Sequence, residues 1–76
     1  MELKIRGHGR HAVSTFEDAS RVYQSRRDAS GLGASKFPSG FVWENGSVVA
    51  EISYNGRVWA PGGWTRDATP IIEAAR

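Results

Sequence analysis

The stretch FVWENGSVVAEISYNGRVWA, residues 41–60, holds two Asn-Gly pairs, each set between runs of β-branched and aromatic residues. Asn-Gly suits a two-residue hairpin turn because both central residues need positive φ, which glycine adopts freely and asparagine tolerates. Asn45-Gly46 and Asn55-Gly56 therefore predict a three-stranded meander over 41–44, 47–54 and 57–60, ended by Pro61-Gly62-Gly63. Two-residue turns also set the pairing, with Glu44 opposite Ser47, Trp43 opposite Val48, Tyr54 opposite Arg57 and Ile52 opposite Trp59. Partners across strands share a face. One face then collects Phe41, Trp43, Val48, Ala50, Ile52 and Trp59, and is assigned to the core. The other collects Val42, Glu44, Ser47, Val49, Glu51, Ser53, Val58 and Ala60. A slip of one residue would turn both tryptophans to water.

Upstream of the meander, Phe16, Ala19, Val22 and Tyr23 recur at helical spacing and form one apolar stripe. Ser14 with Glu17 has the form of a capping box, and Thr15 with Asp18 offers the same spacing one residue later. Acidic Glu17 and Asp18 at the start and basic Arg26 and Arg27 near the end suit the helix dipole. Gly31 and Gly33 mark its end. Before the helix, Leu3 and Ile5 alternate with Lys4 and Arg6, which predicts a short strand. Gly7-His8-Gly9 reads as a turn and 11–13 as a returning strand. Residues 29–40, ASGLGASKFPSG, read as one long loop, of the kind that is often functional or mobile. At the end, Thr69 and Pro70 have the form of a helix start, with Ile71 and Ile72 packing onto the domain edge. The predicted fold is α+β: an antiparallel sheet of four to five strands (a β-hairpin, a helix, then a three-stranded meander) cradling one α-helix. It is a single small domain over 1–76, with 61–76 as a C-terminal extension.

The 76 residues are 39% apolar and 24% charged, the balance of an ordinary globular domain. A domain this small buries only about 60% of its unfolded surface, so its core is thin and a deep catalytic cleft is not expected. Residues 1–6 alternate charged and apolar side chains, which is not the pattern of a signal peptide. No apolar run reaches the length needed to span a bilayer. The absence of cysteine removes disulfides, thiolate metal sites and cysteine nucleophiles, and fits a cytoplasmic setting.

Little in the chain points to catalysis. His8 and His11 flank a turn, and no further ligand stands at metal-binding spacing. Serine, histidine and aspartate occur without any arrangement that suggests a triad. Gly31-Leu32-Gly33 loosely resembles a phosphate cradle, but it closes a helix where a P-loop opens one. The expectation is no enzyme, no cofactor and no metal.

Arginine carries the stronger hypothesis. Eight of the ten basic residues are arginine, in a chain of net charge +2. The guanidinium is a planar fork of donors suited to carboxylate or phosphate. Arg21 stands one helical turn after Glu17 and is read as paired along the helix. Arg26, Arg27, Lys36 and Arg57 form the expected contact set, together with Trp64, which follows a Gly-Gly hinge outside the strand pattern. Arg6, His8, Arg10 and His11 form a second basic group at the N-terminal hairpin. The same residues also fit a solvated polar rim, and nothing local says whether the two groups share a face. Val42, Val49 and Val58, if left open, would form an apolar patch suited to a partner or a weak homodimer.

The helix segment STFEDASRVY (14–23) and the segment WENGSVVAEISYNGRVW (43–59) give an order of elements that resembles small phage-encoded type I anti-CRISPR proteins. That resemblance covers roughly half the chain as pattern and transfers no residue-level signature. It implies a stoichiometric inhibitor, working in the cytoplasm of a bacterial host, that binds a CRISPR surveillance complex and blocks its DNA-binding surface. A net positive chain departs from the acidic DNA mimics of that group, so the expected target is an acidic protein patch or a ribonucleoprotein. The alternative is a small basic module that grips nucleic acid through phosphate contacts.

Overall fold

Which face of the sheet becomes the core is decided by Leu3 and Ile5. The computed structural model describes residues 1–62 and 68–75. Its elements are β1 (Glu2–Ile5), β2 (Arg10–Ala12), α1 (Phe16–Ser30), β3 (Gly40–Glu44), β4 (Ser47–Ile52) and β5 (Val58–Trp59). The strands form one antiparallel sheet in the order β2-β1-β3-β4-β5, with the helix on one face. This is the α+β architecture expected from the sequence. Leu3 pairs with Val42 and Ile5 with Gly40, so these four residues share a face. On it lie Leu3, Ile5, Val42, Ala50, Ile52 and Val58, all buried against Ala19 and Tyr23 of the helix and Phe37 of the loop.

The face assignment for the aromatics is therefore inverted. Glu44–Ser47 and Trp43–Val48 pair as expected, and Asn45 (φ 52) and Gly46 (φ 81) form the expected tight turn. Past Trp43 the register shifts, and Val42 faces Ala50 with Val49 as the extra residue. Such a bulge sets two residues of one strand against one of the other. At the second corner the loop has three residues. Ser53 N–H donates to Arg57 O (3.1 Å) and Gly56 N–H to Ser53 O (2.8 Å). Gly56 alone takes positive φ there (89°), and Asn55 Oδ1 accepts from Arg57 N–H (3.1 Å). The extra residue makes Val58 the partner of Ile52 and moves Trp59 opposite Glu51. Phe41, Trp43 and Trp59 thus lie on the outer face, whereas Val42 and Val58, expected there, are core.

The helix starts at the second of the two candidate caps. Asp18 N–H donates to Thr15 Oγ1 (3.0 Å), and Ser14 N–H donates back to Asp18 Oδ2 (3.1 Å). Gly31 closes the helix in the left-handed conformation, as the sequence suggests. Ala19 and Tyr23 are buried as expected, and Phe16 and Val22 are partly buried around the core. Ser20, the one buried polar residue of the helix, acts as a hub. Its hydroxyl donates to Gly56 O (2.7 Å) and accepts from Ala75 N–H (3.0 Å) and Gln24 Nε2 (3.1 Å). One side chain thereby ties helix, hairpin loop and C-terminal tail together. That tail is not helical over 68–75. Ile71 and Ile72 N–H both donate to Val58 O (2.6 and 3.4 Å), and Val58 N–H donates to Ile72 O (3.1 Å). The free edge of β5 captures the tail in extended form, which competes with a helix there.

The long loop is shorter and more ordered than its composition suggests. The helix runs to Ser30, and a turn at Gly33 accepts from the N–H groups of Lys36 and Phe37 (3.0 and 2.9 Å). This turn delivers Phe37 into the core, edge-on to Tyr23 at 5.4 Å. The Tyr23 hydroxyl donates to Pro38 O (2.9 Å).

Burial pushes the Tyr23 phenol up to about 12 from its ordinary 10; the nearby Arg27 charge opposes this shift and Tyr54 adds to it. The unfolded chain loses that proton near pH 10, while the folded chain keeps it until about 12. The unfolded state therefore binds fewer protons in this window, and stability falls as pH rises through it. The expected loss from this group is about 2–3 kcal/mol by pH 12. Urea titrations of the wild type and Tyr23→Phe across this range test it. The wild-type curve should fall more steeply, and parallel curves would contradict the assignment.

Candidate functional site

A groove runs between the open edge strand β2 and helix α1. It is an open depression of about 680 Å³ lined by Arg10, His11, Ala12, Val22, Ser25 and Arg26. Two local features build it. Val22, Ser25 and Arg26 are spaced three and four apart, so they share one helix face. His11 pairs with Leu3, which turns its side chain to the helix side of the sheet. The His11 ring is held by its Nε2–H, which donates to His8 O (3.0 Å), so the proton on that nitrogen is assigned. A neighbouring depression is lined by His8, Arg26, Ala29, Ser30 and Leu32, and His8 rests against the Phe37 ring at 4.7 Å. Arg26 is common to both depressions. Of the two basic groups read from the sequence, Arg26 therefore shares one surface with His8, Arg10 and His11, whereas Arg6, Arg27 and Lys36 do not line it.

The remaining expected contacts fare differently. Arg26 and Arg10 are exposed and have no ion-pair or hydrogen-bond partner among the described residues. Arg6 and Lys36 are also exposed, at the first turn and in the Gly33 loop. Arg27 is committed internally. Its Nη1–H donates to Tyr54 O (2.7 Å), its Nη2 lies 3.0 Å from Asp28, and its guanidinium sits 5.4 Å from the Tyr54 ring centre. Arg57 Nε–H donates to Glu73 Oε2 at 2.6 Å. Both arginines brace the hairpin loop, one against the helix and one against the tail. Trp64 lies outside the described residues.

Sequence reasoning missed the outer sheet face as an aromatic surface. One row of paired residues crosses all five strands: Arg10, Lys4, Phe41, Glu51 and Trp59. The adjacent row holds Ala12, Glu2, Trp43 and Val48. Phe41 is 38% exposed, and Lys4 Nζ stands 4.3 Å over the Trp43 ring. Trp59 is buried, its indole N–H donating to Ser53 Oγ (2.8 Å). The signal that could have found this face was present in β1, where only Leu3 and Ile5 can face a core. Charge on the face is balanced, Lys4 and Arg10 standing beside Glu2 and Glu51, with Lys4 3.8 Å from Glu2.

Among the described residues, no three histidine, aspartate or glutamate side chains cluster as metal ligands. No helix there is long and apolar enough to cross a membrane. No protein-family model, curated protein or solved structure matches the chain.

Proposed function

We propose that this chain is a non-catalytic binding protein that acts by covering a partner's surface. In its most specific form it is a phage or mobile-element inhibitor that binds a CRISPR surveillance complex in a bacterial cytoplasm and blocks target DNA. The observation that carries the binding reading is the groove between β2 and α1, lined by Arg10, His11 and Arg26. Guanidinium groups without partners among the described residues, placed around a partly apolar floor, suit carboxylates on a protein surface. The inhibitor form rests on the resemblance of the helix and meander to small anti-CRISPR proteins. Co-purification tests it. A type I surveillance complex should retain the chain and lose target DNA binding. If no complex retains it and DNA still binds normally, the inhibitor form is wrong.

A second reading is a small nucleic-acid-binding module. The Lys4–Trp43 stack and exposed Phe41 favour it, since bases stack on aromatic rings beside basic side chains. Glu2 and Glu51 on the same face weigh against it. It requires an affinity for single strands that falls steeply with salt, and a flat response removes it.

A further inference from the structure

The two edges of the sheet are finished differently. At β5 the chain's own tail is bonded to Val58 through Ile71 and Ile72. At β2 nothing among the described strands lies beyond Arg10–Ala12. Ile5 N–H donates to Gly9 O and Val13 N–H to Met1 O, both at 3.1 Å. Bonded pairs alternate along an antiparallel ladder, so Leu3–His11 is bonded and the N–H and C=O groups of Arg10 and Ala12 point away from the sheet. An edge that presents both donors and acceptors is a template for another strand.

We infer that β2 is a docking edge for an extended acidic peptide segment of a partner protein, which adds as a sixth strand beside Arg10–Ala12 and lies in the groove against Val22 and Arg26. This rests on the binding-protein reading and names its ligand class. Main-chain pairing supplies the affinity of such docking, and alternate side chains supply the specificity. Side chains on one face of the added strand meet Val22, Ser25 and Arg26, and those on the other meet Arg10. The helix side therefore favours a carboxylate beside Arg26 and also accepts an apolar residue, and Arg10 offers a second carboxylate contact at the edge of the outer face. Nucleic acid fits this edge less well. The outward carbonyls of Arg10 and Ala12 need N–H donors, which a phosphodiester backbone lacks. A second copy of the chain fits less well too, because the strand it would add, β2 (Arg10–Ala12), carries no carboxylate to set against Arg10 and Arg26.

The test uses the full chain and short capped peptides of alternating Glu and Val, Lys and Val, or Ser and Val, read by amide hydrogen exchange and chemical-shift changes. The Glu/Val peptide should bind best and slow exchange at the Arg10 and Ala12 amides. Arg26→Gln should weaken it about tenfold, as expected for loss of a charge-assisted bond. Ala12→Pro should abolish it while leaving the fold intact by circular dichroism, because proline at an edge removes only an outward N–H. Binding of the Lys/Val peptide with equal affinity overturns the inference. So does binding without protection of those two amides, absence of binding by all three peptides, or concentration-dependent self-association through β2. Capture of a surveillance complex is read separately. A chain that is retained by the complex yet ignores the peptides loses this inference and keeps the proposed function. One that binds the Glu/Val peptide but is retained by no complex keeps the inference and the binding-protein reading and loses only the inhibitor form.

Discussion

Gly40→Val should leave the domain largely unfolded, or lower its Tm by about 12–24 °C if it still folds. Gly40 opens β3 on the core face, opposite Ile5 and Ile52. A Cβ built there falls 2.9 Å from Leu3 Cδ1 and 2.9 Å from Tyr23 Cδ2. Neither neighbour can step aside cheaply. Leu3 and Tyr23 are both fully buried, and the tyrosine is also pinned through its hydroxyl to Pro38 O. Overpacking of this kind costs about 3 kcal/mol or more. A chain of this length has only about 5 kcal/mol to lose. Gly40→Ala should sit between wild type and valine, since it adds the clashing atom without the two further methyls. Thermal melts of the series check the order. A valine variant that melts like wild type would mean that helix and sheet are less closely apposed at Gly40 than described.

Tyr23→Ala is expected to cost about 3–5 kcal/mol, the range for removing a buried aromatic from a core. Among the described residues Tyr23 is the largest fully buried side chain, and it touches Phe37 edge-on while reaching Pro38 with its hydroxyl. Its loss therefore opens a cavity and frees the loop that carries Phe37. Tyr23→Phe keeps the ring and removes one hydrogen bond, leaving the Pro38 carbonyl without its donor at a cost of about 1–2 kcal/mol. Chemical denaturation of both variants separates the two contributions. Equal losses would mean that the ring adds nothing beyond its hydroxyl, against the packing account. Neither Tyr23 nor Pro38 lines the groove, so the phenylalanine variant should keep its partner binding.

How far the sequence could be read depended on whether a feature was local. The Asn45-Gly46 turn was legible because its geometry needs nothing beyond two backbone dihedrals. The Thr15 cap and the Gly31 stop were legible for the same reason, since each is satisfied within one helical turn. Asn55-Gly56 looked identical to the first pair and behaves differently. Adding Tyr54 to its loop brings Ile52 opposite Val58 in the core. It also lets Tyr54 donate to Leu32 O (2.9 Å) and accept from Arg27 through its own carbonyl. The bulge at Val49 has no local signature either, and it decides the face of every later residue of β4. Phe37 was legible as a loop residue and illegible as core, because nothing nearby says which way its turn points.

For the candidate site, residue type was legible and company was not. Arg26, Arg10 and His11 were all selected from the chain as groups able to grip an anion. That they share a groove follows from β2 lying beside α1, a packing relation between two consecutive elements that the residue pattern does not show. Arg27 and Arg57 were selected on the same grounds, and the fold employs both as struts.

Composition and short-range pattern by themselves determined the class of the domain, its helix to within a residue or two at each end, and its first tight corner, because the forces involved act within a few residues. Tertiary packing alone decided which sheet face is dry, which arginines are bonded internally and which edge stays open. Those outcomes depend on β1 entering the sheet beside β3 and on the tail sealing β5. Each is a competition between distant groups for the same surface, and no window of the chain contains both competitors.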